Sequence, residues 1–144
     1  MKIIGFNIEE IHAKKAFDFK HIAISTDILF TNIEKAKIDV LKDNEALKIS
    51  FKFIISYKDS EKKESQDKNE VLIQGSILLM VSKDESKEFL KSWKTKEIPK
   101  DKALGLYNII LKKCSVKALQ LEDEVNLSPH IPFPQIRNQQ QTPQ

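Results

Sequence analysis

The sequence is poor in the residues on which many catalytic and metal sites depend. Its 144 residues include one cysteine, Cys114, and three glycines. A single cysteine excludes an internal disulfide and any multi-cysteine zinc or iron–sulfur site, and scattered glycines leave no loop to cradle a phosphate. The histidines lack metal-ligand spacing, so surface or turn positions are expected for His12, His21 and His130. We therefore expect neither a metal nor a cofactor.

Arginine and long apolar runs are equally scarce. Arg137 is the only arginine among 24 cationic residues, and lysines are interleaved with acidic residues, which is typical of a solubilising surface rather than a nucleic-acid stripe. No apolar run approaches the roughly 20 residues of a membrane span, and the N-terminus has no signal-peptide pattern. We expect a cytoplasmic protein without nucleic acid or membrane insertion. A nucleic-acid-binding module, one alternative, would retain DNA or RNA with a steep salt dependence.

Neither the cysteine nor the carboxylates form a catalytic pattern. Cys114 is expected in the middle of a helix on its apolar side, where a buried thiol behaves as a small hydrophobic group. Carboxylates occur in lysine-rich loops or at a helix end, as in "LEDEV" (residues 121–125), and are expected to be solvated. The sequence therefore predicts a protein that is not an enzyme.

Alternation of apolar and polar residues predicts four strands in the first part of the chain. The last of them contains Gly75, where a bulge or a close approach of another backbone is expected. In chain order the predicted strands are Ile4 to about Ala16, the segment around Ala36, Ile38 and Val40, "ALKISFKFIISYK" and "VLIQGSILLMV".

Two helices are predicted after the strands. "SKDESKEFLKSWK" is a short helix with Ser82 or Asp84 as its cap and with Phe89 and Trp93 on one side. Pro99 marks the start of a long helix, one stripe of which is expected to pack on the sheet. The residues of this stripe are Tyr107, Ile110, Leu111, Cys114, Ala118, Leu121 and Val125.

The order of these elements indicates an α+β fold. The prediction is a four-stranded antiparallel sheet (meander) followed by a short helix and one long helix packed on one face. One domain of residues 1–137 and a disordered polar tail of residues 138–144 are expected. On the other side of the long helix, Ile109 and Val116 form either an oligomer contact or the ordinary scatter of exposed aliphatic residues.

This arrangement leaves two apolar segments without an assigned partner. One follows the long helix, where Ile131, Phe133 and Ile136 stand on an extended, proline-set backbone and are interpreted as an apolar clip. The other is the expected connection between the first two strands. Either segment binds a partner or seals an edge of the core. The apolar residues of the connection are Phe17, Phe19, Ile22, Ile24, Ile28, Leu29 and Phe30.

The strand "EVLIQGSILLMV", the helix start "ALGLYNIILKKC" and the segment "PFPQIRNQ" occur in this order after the first strands. This pattern resembles the SecB family of export chaperones. The resemblance implies a cytoplasmic homotetramer, built as a dimer of dimers, that holds unfolded or non-native polypeptides in apolar grooves without ATP. The polypeptide-binding residues that it implies are Phe17, Phe19, Ile28, Leu29, Phe30 and Tyr107.

Two functions follow from the resemblance and the unassigned apolar segments. The first is an ATP-independent holdase with a role in protein export or transport, although family members are typically acidic and this chain is mildly basic, with a pI near 8.8. The alternative is a dedicated adaptor or antitoxin-type chaperone that binds one protein partner through the sheet edge or the tail. A narrow range of clients would favour the second function.

Overall fold

The computed structural model describes residues 1–18, 22–39, 43–59 and 68–138. These residues form the predicted α+β fold of four strands and two helices, and none of their helices is long and apolar enough to cross a membrane. Of the predicted disordered tail, all but Asn138 lies outside the described residues. The elements are β1 (Lys2–Lys14), β2 (Ile22–Lys35), β3 (Asn44–Asp59), β4 (Asn69–Ser82), α1 (Lys83–Trp93) and α2 (Lys100–Glu124).

The four strands form one antiparallel sheet in the order β1-β4-β3-β2. Strands β2, β3 and β4 are a meander, as predicted. Strand β1 departs from a simple meander because it pairs with β4 rather than with β2. The first two strands therefore lie at opposite edges, and the chain between them has to cross the whole width of the sheet.

Strand β2 begins earlier than the sequence pattern indicated. Ile22 to Phe30, expected in a connection, are part of the strand, whereas Ala36 and Ile38 lie beyond its end. Val40 is outside the described residues. The reason is that a two-residue alternation already starts at Ile22, and a register shift between Phe30 and Asn32 interrupts it. Most of the apolar connection is thus an edge strand.

The core lies between the sheet and the helices. Strands β3 and β4 alternate between buried and half-buried residues, and α1 adds Phe89 from a helix that Ser82 caps as predicted. Tyr107 and Leu111, expected on the packing stripe of α2, are exposed instead. The buried side chains of α2 are instead spaced four residues apart. This i, i+4 row is a ridge along which helices commonly pack. The buried residues of α2 are Leu106, Ile110, Cys114, Ala118 and Glu122.

The predicted close approach at Gly75 is confirmed. Strand β1 has a register shift between Ile8 and Glu10, opposite Gly75. A Cβ atom on Gly75 would collide with the backbone carbonyl oxygen of Asn7 and would lie 3.0 Å from the ring of Phe51. Only glycine lets β1 and the core aromatic ring approach β4 this closely.

Candidate binding surface

Edge strand β2 and helix α2 carry exposed or half-buried apolar side chains on the same side of the sheet, with Thr26 between Ile24 and Ile28 in the row of β2. The pairing with β3 places alternate residues of β2 on the side of the sheet that the helices cover. On α2, Tyr107 and Leu111 are one turn apart and occupy the margin of the helix toward β2, because the Tyr107 ring lies 5.1 Å from that of Phe30. We call this set the β2–α2 surface: Ile22, Ile24, Ile28, Phe30, Tyr107 and Leu111.

The surface stays open because α2 lies over the central strands. Its first turns contact Phe30, and its end reaches Tyr57 of β3, whose neighbour on β2 is Ile24. Neighbouring strands are about 4.8 Å apart, so a helix centred on β3 and β4 covers an edge strand only in part. Ile22 and Ile24 accordingly remain 39% and 37% exposed.

A buried polar cluster fixes the end of α2 and the segment after it. Glu122 is fully buried and accepts a hydrogen bond from the Tyr57 hydroxyl, and its other carboxylate oxygen lies 2.6 Å from Nδ1 of His130. Burial, and then the hydrogen bond to Glu122, raise the pKa of Tyr57, so the phenol keeps the proton that it donates. The His130 ring packs edge-on against Phe53, with centroids 6.2 Å apart.

This cluster corrects two expectations. The carboxylates of "LEDEV" were expected to be solvated, yet Glu122 is buried. A surface or turn position was expected for His130, which lies at a bend of the chain but has a buried side chain. Their partners Tyr57 and Phe53 are the β3 neighbours of Ile24 and Ile28. The chain after α2 is therefore anchored directly beside the β2–α2 surface.

Asn69 fixes the connection between β1 and β2. Its Oδ1 accepts hydrogen bonds from the backbone N–H groups of Ala16 (2.6 Å) and Phe17 (3.1 Å), and its Nδ2 donates to the Phe17 carbonyl (2.7 Å). Asn69 is buried at the start of β4. The described first part of the connection, at Ala16 and Phe17, is thus held at the start of β4.

The structure brings together only some of the residues that the SecB resemblance implied. Ile28, Phe30 and Tyr107 share the β2–α2 surface. Leu29 does not, because it pairs with Lys52 and points to the opposite face of the sheet, where it is 52% exposed. Phe17 is half-buried in the connection held by Asn69, and Phe19 is outside the described residues.

The other predicted contact residues differ in how far they are buried. Ile109 packs against the core of its own chain, whereas Val116 is 61% exposed. The proposed apolar clip does not pack on the core: Ile131, Phe133 and Ile136 are 40%, 59% and 104% exposed. In the single chain, the segment after α2 is held by Leu127 and His130 instead.

Cys114, the potential metal ligands and one small pocket bear on the chemistry that the described residues can support. Burial raises the pKa of the Cys114 thiol to about 12, so it is not a thiolate nucleophile at neutral pH. No group of three or more potential metal ligands occurs in the described ranges. A pocket beside Ile22, lined also by Asp18 and Leu127, holds about 160 Å³, less than the roughly 300 Å³ at which small-molecule sites begin.

Comparison with known proteins supports the fold. No model of a known protein family matches the sequence, and neither does a curated protein. Among solved structures, the chain is similar to the SecB-like chaperone Rv1957 of Mycobacterium tuberculosis, in complex with a ChAD peptide from the Rv1956 HigA1 antitoxin. The match covers 95% of this chain and 91% of that chain, with a TM-score of 0.56 and 10% identity. The four-stranded sheet and two helices described above therefore have the fold of a SecB-like chaperone.

Proposed function

We propose that this protein is a chaperone that binds unfolded or non-native polypeptides without ATP and prevents their aggregation. One observation carries the proposal: the partly exposed apolar side chains of edge strand β2, bordered by Tyr107 of α2, in a chain with a SecB-like fold. Clustered apolar side chains that stay partly exposed mark interaction sites in soluble proteins.

The β2–α2 surface suits an unfolded client for two physical reasons. Among the described strands, β2 pairs only with β3, so its outer edge presents backbone N–H and C=O groups to which an extended chain can add. Beside that edge, apolar side chains offer burial worth about 25 cal/mol per Å² of apolar area. Ordering the client opposes this gain, so binding requires many contacts along a long path rather than one deep pocket.

An assembly would lengthen that path. We propose a homo-oligomer, a dimer of dimers, with Val116 at a subunit contact, because Val116 is the most exposed aliphatic residue in the second half of α2. Ile109 would contribute less, since its own core already covers part of it. We place this assembly in the cytoplasm, without a cofactor or nucleic acid.

A second function is favoured by the SecB-like neighbour, which binds a peptide from an antitoxin. On that basis this chain would be a dedicated antitoxin-type chaperone with one partner, and the same β2–α2 surface would hold it. The range of clients separates the two functions, because a dedicated chaperone would protect its partner and leave unrelated proteins to aggregate.

The test measures light scattering of several unrelated, chemically denatured proteins after dilution into buffer, with and without this protein and without nucleotide. We expect suppression near stoichiometric amounts. The double variant Ile24→Ser/Tyr107→Ser should bind clients roughly tenfold more weakly, since a few central apolar residues carry most of the affinity of an interface. Both residues are more than a third exposed, and circular dichroism would verify that the fold survives.

Leu29→Ser is the matched control. It removes an exposed apolar side chain from the same strand but from the opposite face of the sheet. Equal loss of client binding in Leu29→Ser and Ile24→Ser/Tyr107→Ser would show that the β2–α2 surface is not the client site. If the protein suppressed the aggregation of no unrelated client, the dedicated chaperone would remain as the proposed function.

A further inference from the structure

The segment that follows His130 is exposed, apolar and extended. We call residues 131–136 ("IPFPQI") the tail segment. Pro132 and Pro134 restrict the backbone to extended conformations of the polyproline type. Such a chain has three residues per turn, so Phe133 and Ile136 share a face. The prolines lack N–H donors, so the segment cannot be a central strand of a sheet. It can bind through its side chains, its carbonyl groups and the N–H groups of its four other residues.

The start of the tail segment has a fixed position. Leu127 is buried, and His130 is paired with Glu122 and packed on Phe53. Phe53 is the β3 neighbour of Ile28. The tail segment therefore leaves the chain beside the β2–α2 surface, but it does not cover that surface, because exposure rises along it to a fully exposed Ile136.

The tail segment and the β2–α2 surface match in length and chemistry. Five residue steps of extended, proline-rich chain span about 16 Å, and the six steps from Ile24 to Phe30 along β2 span about 20 Å. Neither residues 131–136 nor the side chains that form the surface carry a charge. The tail segment thus shares two properties with the clients proposed above, because it is extended and apolar.

We propose that the tail segment of one copy docks on the β2–α2 surface of a second copy, and that the exchange is reciprocal. A twofold exchange covers the tail segment and the β2–α2 surface of both copies at once. Neither of these two apolar sets then remains exposed in the pair. Within one chain, the tail segment leaves the β2–α2 surface uncovered. The occupant that we propose is therefore the tail segment of a second copy. The inference rests on the proposed function in one respect: the tail segment would be a built-in competitor that a client has to displace.

Cross-linking tests the exchange without any client. Two differently tagged full-length chains, one with Ile136→Cys and one with Ile24→Cys, are co-expressed and oxidised. We expect a disulfide between positions 136 and 24 of different chains. Leu29→Cys in place of Ile24→Cys is the control, because position 29 lies on the other face of the same strand. Equal yields in the two pairs, or no cross-link, would overturn the exchange.

A double variant distinguishes exchange from folding back. With Ile136→Cys and Ile24→Cys in one chain, exchange gives covalently linked pairs, whereas a monomer closed by its own disulfide at high dilution would show that the tail segment covers its own surface. That second outcome would also overturn the proposal. The native Cys114 does not interfere, since it is buried.

Client affinity tests the competition. Phe133→Ser/Ile136→Ser should bind an unfolded model protein roughly three- to tenfold more tightly, because apparent affinity falls with the fraction of surface that is already occupied. Leu29→Ser, at an exposed position on the opposite face of β2, should not. Unchanged or weaker binding by the tail variant would overturn the competition. If no variant bound a client while the cross-link formed, the proposed function would fail and the exchange would stand.

Discussion

Glu85 is the residue at which three parts of the chain meet. It completes the capping box of α1 with Ser82, and its carboxylate lies 3.0 Å from Nζ of Lys102 in α2 and 3.1 Å from the Met1 ammonium group. The backbone hydrogen bond from Ser82, followed by the Lys102 contact, lowers the pKa of Glu85 from its ordinary value of 4.5 to about 2. Both contacts favour the ionised carboxylate.

This lowered pKa predicts a pH-dependent contribution to stability. Because the pKa is lower in the folded state, the stabilisation is fully present above pH 4.5 and is lost as the pH falls toward about 2. Glu85→Gln should therefore lower the free energy of unfolding at pH 7 by about 1 kcal/mol or less, and the difference from wild type should vanish in acid. Urea unfolding at several pH values measures it.

Asp84→Asn is the control for this prediction. It removes a charge from the same first turn of α1, yet Asp84 is exposed and outside the capping box. We expect a smaller effect on the free energy of unfolding at pH 7. A Glu85→Gln effect that persisted unchanged at pH 2 would mean that packing, rather than charge, accounts for the role of Glu85.

The buried polar residues were beyond prediction from the sequence. Ser82 could be recognised as a cap because its partner Glu85 is three residues away. Glu122 and Asn69 could not, because their partners Tyr57 and Phe17 are 65 and 52 residues away. Burial of a carboxylate or an amide depends on such distant donors and acceptors.

At the level of elements, the fit between β1 and β4 depends on Gly75. Gly75→Ala should destabilise the protein by about 1–3 kcal/mol, since the added methyl group forces β1 and the Phe51 ring apart. Gly105→Ala is the matched control: the nearest atom to its new Cβ is Met1 Cε at 3.9 Å. Within a helix it should instead stabilise by roughly 0.5–1 kcal/mol.

Thermal unfolding of both alanine variants measures these opposite shifts. Loss of stability in both would mean that alanine is unfavourable for a reason other than the approach of β1. Gain in both would mean that the Asn7 carbonyl moves away at little cost, and the close approach would then not constrain the sheet.

The strands differ in how well their pattern predicted them. Strands β3 and β4 were predicted well because one side of each is fully covered, so alternation persists over their length. Edge strand β2 was not, since its apolar side chains continue onto both faces, with Ile28 on one and Leu29 on the other. The pairing of β1 with β4 depends on distant contacts, which no local pattern encodes.

At the level of the whole molecule, the exposed apolar residues favour assembly. If Val116 lies at a subunit contact, the melting temperature should rise with protein concentration, because association stabilises the folded state by mass action. Val116→Lys should weaken that dependence, since a charge would be buried at the contact. Thr95→Lys, at an exposed position outside α2, should preserve it. Calorimetry over a wide concentration range measures the melting temperature of both variants. If its dependence on concentration were the same in the two, Val116 would not lie at the subunit contact.

The position of β1 also determines the order in which the sheet is completed. Strands β2, β3 and β4 pair with neighbours in the chain, whereas Glu9 of β1 meets Ser76 across 67 residues. Loop closure over this distance costs entropy before any contact is gained, so the meander forms early and β1 joins late. During synthesis the first strand to leave the ribosome must therefore wait for the last, and until then the edge of β4 is itself open to pairing.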